Sequence, residues 1–116
     1  MQARATAKYI GMSPRKVRMV VDLIRGRGVN EAYSILRFSK RSATEPIEKT
    51  LRSAVANAQQ RADSEGAYLD TDELVVSEAF VNEGPRQKRF RAAAMGRAAP
   101  RIKRTSHITI IVDSKE

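Results

Sequence analysis

One stretch of the chain, residues 84–100, restricts the possible folds more than any other because it has almost no apolar side chains to bury. A connection of seventeen residues is uncommon inside a compact domain unless it is functional or disordered. β-Branched and aromatic residues at 74–81 and 108–112 predict a strand on each side of it. If both strands continue as a hairpin, about 8 residues per arm at roughly 3.3 Å each would place the tip about 26 Å beyond the domain. We therefore expect a protruding β-hairpin arm at about 84–100.

The rest of the chain has the size and composition of one globular domain. It has 116 residues, 41% of them hydrophobic, so we expect a single domain over 1–116 whose globular part is 1–83 and 101–116. With no cysteine and one histidine, the chain has no disulfides, thiol nucleophiles or Cys/His zinc sites. No apolar run approaches the ~20 residues that cross a bilayer. We expect a cytoplasmic protein with no membrane partner, metal or cofactor.

Helical periodicity and capping residues predict three helices in the first half of the chain. Ser13 and Pro14 fit the N-cap and the first position of one helix, because proline lacks the N–H that is unpaired there. Asn30 can cap a second, short helix. A third and longest helix is predicted to start within 42–44 and to end at Gly66.

Strand periodicity completes the predicted fold. Ala3, Ala5, Ala7 and Tyr9 alternate with other residues, which predicts a first strand with one buried face. In the last strand, Ile108, Ile110 and Val112 share a face by the same alternation. The sequence therefore predicts an α+β fold, with three helices packed on a small three-stranded antiparallel sheet and a long protruding β-hairpin.

The charges of the chain are segregated along the sequence. Residues 1–29 carry seven basic groups and one acidic group, residues 30–83 are net acidic, and residues 84–112 carry eight basic groups and no acid. A large field of one sign raises self-repulsion unless a partner neutralises it, so the net charge of +9 predicts a polyanionic partner. A thin basic arm suits folded RNA, where closely packed phosphates repel one another and exposed bases offer stacking surfaces to Phe90 or arginine.

Other functional classes fit less well. A DNA-binding architectural protein is the alternative, since a basic β-arm also suits a minor groove, but such proteins use an apolar dimer surface that the sequence does not show, and we expect no homo-oligomer. An enzyme is not expected, because the basic segment at 84–112 has no acid to orient a Ser106–His107 pair or to support nuclease chemistry. The acids at 70–78 lack the spacing of a calcium loop.

Several motifs resemble the bacterial large-subunit ribosomal protein L-twenty-two family. The most specific is Lys-Arg-Thr-Ser-His-Ile-Thr at 103–109, after the basic hairpin, and the likeness also covers 13–18, 22–26, 54–58, 82–85, 88–90 and 96–98. The resemblance implies a globular domain on the outer surface of the large ribosomal subunit beside the exit of the nascent-peptide tunnel. It further implies that the hairpin reaches inward through ribosomal RNA, with its tip in the tunnel opposite protein L-four, and that the protein aids subunit assembly.

The resemblance also implies roles for particular residues. The partners would be large-subunit ribosomal RNA, neighbouring large-subunit proteins and, at the hairpin tip, the nascent peptide. The expected RNA-binding residues are Arg4, Lys8, Ser13, Arg15, Lys16, Arg18, Arg25, Arg86, Lys88, Arg89, Arg91, Arg97, Arg101, Lys103, Arg104, Thr105, Ser106 and His107. The expected tunnel-lining residues are Gln87, Lys88, Arg89, Phe90, Arg91, Ala92, Ala93, Ala94, Met95 and Gly96. One departure is that Ala92-Ala93 stand where the family commonly has Pro-Arg, so a charge usual at the tip is missing.

Overall fold

The computed structural model describes residues 2–92 and 94–114, which fold into helices and antiparallel strands. The helices are α1, Pro14–Ile24; α2, Val29–Phe38; and α3, Thr44–Ser64. The strands are β1, Gln2–Ile10; β2, Leu74–Glu83; β3, Gln87–Ala92; β4, Ala98–Lys103; and β5, Ser106–Ser114. The predicted α+β class is confirmed.

Strand β5 is the centre of the main sheet, which has the order β1-β5-β2 with both neighbours antiparallel to it. Ile108, Ile110 and Val112 are fully buried on one face of β5, as their alternation predicted. Helix α3 packs on β1 and β5, and α1 packs on β2, so the core lies between the helices and this sheet. No helix in the described ranges is both long and apolar enough to span a membrane.

The predicted start of α1 is confirmed, whereas that of α2 is displaced. Ser13 is extended at the N-cap and Pro14 is the first residue of α1, because a fixed proline φ suits the first helical turn. Helix α2 begins at Val29 with Gly28 at the N-cap. Asn30 is therefore not the cap; its amide Nδ2 instead donates a hydrogen bond to Asp72 Oδ1 at 3.1 Å.

The alternation predicted for β1 holds only as far as Ala7. The pairing of β1 with β5 shifts register between Ala7 and Ile10, and Tyr9 has a φ of 59° there. An irregularity of this kind reverses the inward and outward sides of the strand beyond it. Tyr9 is consequently exposed, although the sequence placed it on the buried face, and Ile10 packs against the core in its place.

The outer edge of β1 is covered by polar side chains of α3. Asn57 Nδ2 donates to the carbonyl oxygen of Arg4 at 2.9 Å, and Arg61 Nη1 donates to that of Gln2 at 2.8 Å. Unpaired carbonyls on an edge strand are a template for pairing with another chain. These two bonds therefore protect part of the edge of the sheet.

Strands β3 and β4 form a separate two-stranded antiparallel ladder whose register runs from Gln87↔Lys103 to Ala92↔Ala98. Its described side chains are exposed, apart from the half-buried Ala99. The molecule measures 67 × 28 × 16 Å, and its radius of gyration is 17.6 Å. A compact chain of similar length would have a radius of gyration of about 13 Å. The chain is therefore elongated.

Candidate nucleic-acid interface

The predicted RNA-binding side chains are mostly at the surface. The exposed ones among the described residues are Arg4, Lys8, Arg15, Lys16, Arg18, Arg25, Arg86, Lys88, Arg89, Arg97, Arg101, Lys103 and Arg104. Ala93 and the side chain of Arg91 lie outside the residues that the structure describes. Exposure alone does not separate side chains that are free to bind a partner from those that support the fold, so the contacts of each group decide its role.

The β3–β4 ladder places like charges directly opposite each other. Arg89 pairs with Arg101 across the ladder, one position from the pair of Phe90 with Pro100. Directly opposed like charges destabilise a sheet, and no acid lies between 84 and 112 to offset them. Phe90 is exposed beside these cations. The ladder therefore combines uncompensated positive charge with an aromatic ring, as surfaces that bind nucleic acid do.

The turn of the hairpin carries an exposed methionine. Met95 has a φ of 61° and its side chain is 97% exposed, and Gly96 follows with a φ of 73°. Two consecutive residues with positive φ turn the chain sharply, and glycine adopts this conformation at no steric cost. The described part of the tip is thus narrow, apolar and uncharged.

Backbone and hydroxyl hydrogen bonds close the base of the hairpin. The N–H of Gly84 donates to the carbonyl oxygen of Thr105 at 2.9 Å, and Thr105 Oγ1 donates to that of Pro85 at 2.8 Å. Ser106 is fully buried, and its Oγ donates to the carbonyl oxygen of Met12 at 2.6 Å. This buried hydroxyl supports the fold at the base of the hairpin, and the RNA contact expected at Ser106 stays a prediction.

His107 is held against Tyr9 on the other side of the strand. Its Nδ1 accepts a hydrogen bond from the backbone N–H of Tyr9 at 3.1 Å, and the two rings meet edge to face with centroids 5.1 Å apart. Successive strand residues point to opposite faces, so Ser106 and His107 are directed apart. The pair is not arranged as a nucleophile and its base.

An ion pair between Arg86 and Glu83 marks the point where β2 leaves the sheet. The hydrogen bond from Arg86 holds the pKa of the Glu83 carboxyl below its ordinary value, with a smaller contribution from the charge of Arg104. The same bond raises the pKa of Arg86. Arg86 is thus partly neutralised at the base, whereas the cations of the ladder have no acid beside them in the sequence.

Arg18 of α1 and Arg25, the C-cap residue of that helix, were predicted to bind RNA and are bonded to the edge of β2. Arg18 donates from Nε and Nη2 to the carbonyl oxygen of Val81 at 3.1 and 2.8 Å. Arg25 donates from Nε and Nη2 to that of Ala79 at 3.0 and 2.6 Å, and its Nη1 pairs with Asp22 at 2.8 Å. Each guanidinium group donates from two of its nitrogens to the sheet, which holds α1 in place and covers the edge of β2.

A groove of about 820 Å³ lies beside the hairpin base. It brings together the chain before α1, one face of α1, the connection between α2 and α3, and the end of β4. The basic residues that line it are Lys16, Arg41, Lys103 and Arg104.

Arg41 was not among the residues predicted from the sequence to bind a partner. Its only signal there is the adjacent pair Lys40-Arg41 in the short connection between two helices, within a segment that is net acidic. The other three cations of the groove were predicted, because they lie in the two basic regions of the chain.

The described residues contain no group of three or more histidine, aspartate or glutamate side chains that could hold a metal ion. In the acidic segment, Asp70 instead accepts a hydrogen bond on Oδ1 from the N–H of Asp72 at 3.0 Å, which stabilises the short helical turn Thr71–Glu73. These carboxylates therefore have a local structural role.

Together, the fold and this surface define a small basic α+β protein with an extended arm. A family model described as "Ribosomal protein L22p/L17e" matches residues 5–113. The chain belongs to this family of ribosomal proteins, and it is not an enzyme. The resemblance found in the motifs is confirmed over nearly the whole chain.

Similar proteins from several bacteria support the same assignment. The "Large ribosomal subunit protein uL22" of Pediococcus pentosaceus is 54% identical over 114 residues, which cover 98% of this chain and 92% of that protein. The protein of the same name from Desulfitobacterium hafniense is 54% identical over 115 residues, 99% of this chain and 96% of that protein. The one from Oceanobacillus iheyensis is 53% identical over 116 residues, 100% of this chain and 98% of that protein.

Proposed function

We propose that this protein is a structural constituent of the large ribosomal subunit in the cytoplasm, where it binds ribosomal RNA and has no active site. Membership of the ribosomal protein family and full-length similarity to proteins named for the large subunit support this proposal. Its partners are ribosomal RNA and neighbouring large-subunit proteins, and it aids assembly of the RNA that it contacts.

The observation that carries the proposal is the exposed β3–β4 ladder. Arg89 faces Arg101 across it, the described side chains of both strands are exposed apart from the half-buried Ala99, and residues 84–112 contain no acid. Such a ladder gains stability when phosphates neutralise it, since phosphate contacts supply most of the affinity of nucleic-acid binding. Arg18, Arg25 and Ser106 then contribute by holding the domain and hairpin base in shape.

We further propose that the hairpin penetrates the RNA and that its tip, at about 87–96, lines the nascent-peptide exit tunnel, with the globular part near the tunnel exit. The narrow turn around Met95 and the uncharged residues Ala92 and 94–96 at that turn suit a confined wall that a peptide passes. The nascent peptide is then a transient partner at the tip.

Co-sedimentation of the tagged full-length chain with ribosomal subunits tests the main proposal. We expect it to migrate with intact large subunits and to remain there through washes at moderate salt, because many phosphate contacts must be lost together. Migration as a free species would contradict the proposal. Migration with chromosomal DNA would favour the architectural alternative, for which the comparisons offer no support.

Photo-crosslinking tests the position of the tip. A photoreactive amino acid at Met95, whose side chain is 97% exposed, is compared with one at Tyr68, which is 92% exposed but outside the arm. We expect crosslinks to a radiolabelled nascent peptide from position 95 and none from position 68. Equal yields at the two positions, or a yield only at 68, would contradict the tunnel proposal.

A further inference from the structure

We propose that the groove beside the hairpin base binds an unpaired stretch of RNA, with phosphates on its four cations and a base against its apolar wall. This inference rests on the proposed RNA-binding function and specifies the RNA structure that one part of the surface recognises. The cations are Lys16, Arg41, Lys103 and Arg104, and the exposed apolar side chains are Met19 and Ile102.

The cations of the groove come from three separate parts of the chain. Lys16 is on α1, Arg41 is in the connection between α2 and α3, and Lys103 and Arg104 follow one another where β4 ends. Within 2–92 and 94–114, none of the four forms an ion pair with a carboxylate. Elsewhere, by contrast, Arg25 at the C-cap of α1 and Arg52 and Arg61 of α3 pair with acids one turn away. The fold thus gathers positive charge in the groove with no carboxylate in ion-pair contact, although Arg104 interacts at longer range with Glu83.

The N-terminus of α1 adds donors to the same groove. Ser13 lines the groove as the N-cap residue, and its side chain makes no capping hydrogen bond. The first turn of α1 contains no acid, whereas those of α2 and α3 contain Glu31 and Glu45. A helix N-terminus with free N–H groups and no local carboxylate favours an anion, and here it supplements the cations.

The apolar wall distinguishes an unpaired strand from a duplex. Met19 is 49% exposed and Ile102 is 47% exposed, and Arg41 Nη1 lies 3.5 Å from Met19 Sδ. In an A-form duplex the bases are stacked inside, so the protein meets only phosphates, hydroxyls and base edges. An unstacked base can lie on an apolar surface while its phosphates meet the cations, which makes single-stranded RNA the better fit.

Removal of the wall tests the base contact. The full-length chain with Met19→Ala and Ile102→Ala is compared with the Leu23→Ala chain, because Leu23 is 48% exposed on the same helix but does not line the groove. The probes are a short oligouridylate and a blunt RNA duplex with the same number of phosphates, followed by fluorescence anisotropy. We expect about fivefold weaker oligouridylate binding for the double variant, unchanged duplex binding, and wild-type affinities for Leu23→Ala.

Removal of two cations tests the phosphate contacts. Lys16→Gln with Arg41→Gln is compared with Lys49→Gln and Arg52→Gln, which lowers the net charge equally but leaves the groove intact. For oligouridylate, the slope of log affinity against log salt should become shallower by about 0.7 for each groove cation removed. The control pair should keep the wild-type slope.

The outcomes separate this inference from the proposed function. Wild-type protein that binds neither RNA, or that binds a DNA duplex of the same length, added as a third probe, more tightly than both, would overturn the proposed function itself. If the wild-type protein binds RNA, two results would overturn the inference alone. One is that the Met19→Ala, Ile102→Ala variant and Leu23→Ala bind oligouridylate with equal affinity. The other is that the double variant loses affinity equally for oligouridylate and for the RNA duplex. Circular dichroism verifies that each variant is folded. We expect all of them to fold, because the substituted side chains are exposed.

Discussion

Replacement of Gly84 by alanine should loosen the base of the hairpin, because the new methyl group has no room. A Cβ on Gly84 would overlap Thr105 Oγ1 and come within 3.2 Å of His107 Cε1 and 3.3 Å of His107 Nε2. The threonine hydroxyl cannot move freely, because it donates to the carbonyl oxygen of Pro85. The imidazole is held in turn by its bond from the N–H of Tyr9.

The magnitude follows from these contacts. Inserting one methyl group into a packed site typically costs about 1–3 kcal/mol, and loss of the Thr105 hydrogen bond accounts for about 1 kcal/mol of such a change. We expect the free energy of unfolding of Gly84→Ala to fall by about 2 kcal/mol, equivalent to a decrease of roughly 8 °C in Tm. Urea and thermal denaturation followed by circular dichroism measure both quantities.

The matched control is Gly11→Ala, since nothing lies within 4 Å of a Cβ at Gly11 and its φ is not positive. Its free energy of unfolding should stay within about 0.5 kcal/mol of wild type. Adding Thr105→Ala to Gly84→Ala removes the overlapping oxygen, so the double variant should lose about 1 kcal/mol less than the sum of the single variants. Equal stabilities of Gly84→Ala and Gly11→Ala would refute the argument from packing.

Three further predictions concern the edge of the sheet, the hairpin base and the arm. Arg18→Gln should lower the free energy of unfolding, measured in urea, by about 1 kcal/mol, because two charge-assisted, partly exposed hydrogen bonds to the carbonyl of Val81 are lost. An unchanged urea midpoint would show that these bonds to the edge of β2 do not stabilise the fold. The pKa of Glu83, measured by NMR, should lie below its ordinary value and rise toward it in Arg86→Gln. Because the pKa is lowered in the folded state, the ion pair stabilises the fold at pH values above the unfolded-state pKa, and this stabilisation is lost as the pH falls through the folded-state pKa. An unshifted pKa of Glu83 in the wild-type protein would contradict the ion pair. In the free protein, amides of β3 and β4 should exchange with solvent faster than those of α3, because the ladder has little buried surface; equal protection would show that the arm is stable without RNA.

Local chemistry explains the parts of the fold that the sequence predicted well. The start of α1 at Ser13-Pro14 depends on the restricted backbone of proline, and the buried face of β5 depends on the alternation of side chains along a strand. Both can be read from a few neighbouring residues in the sequence. The register shift before Ile10 was not predicted, because no residue type in β1 is a sequence signal for it. It arises where Tyr9 meets His107, far away in the sequence.

The cations of the candidate site were predicted where basic residues are dense in the sequence. They were not predicted where only the tertiary structure brings positive charges together. Arg18 was predicted to bind RNA, but its bond to Val81, which joins residues 63 positions apart, gives it a supporting role in the fold. Arg41 lies in a net acidic segment, and its part in the groove follows from the approach of the α2–α3 connection to the end of β4. Composition therefore predicts the polarity of the surface, whereas the division between binding and supporting cations needs the fold.

The connection of the arm to the sheet has a mechanical consequence. The two arms of the hairpin lead directly into β2 and β5, and β5 is paired along most of its length with β1 on its other side. A pull on the tip along the arm would therefore load β2 and β5 together and strain the β1–β5 hydrogen bonds in shear, all at once rather than one after another. Tension on the hairpin would thus be resisted by the whole central ladder of the domain.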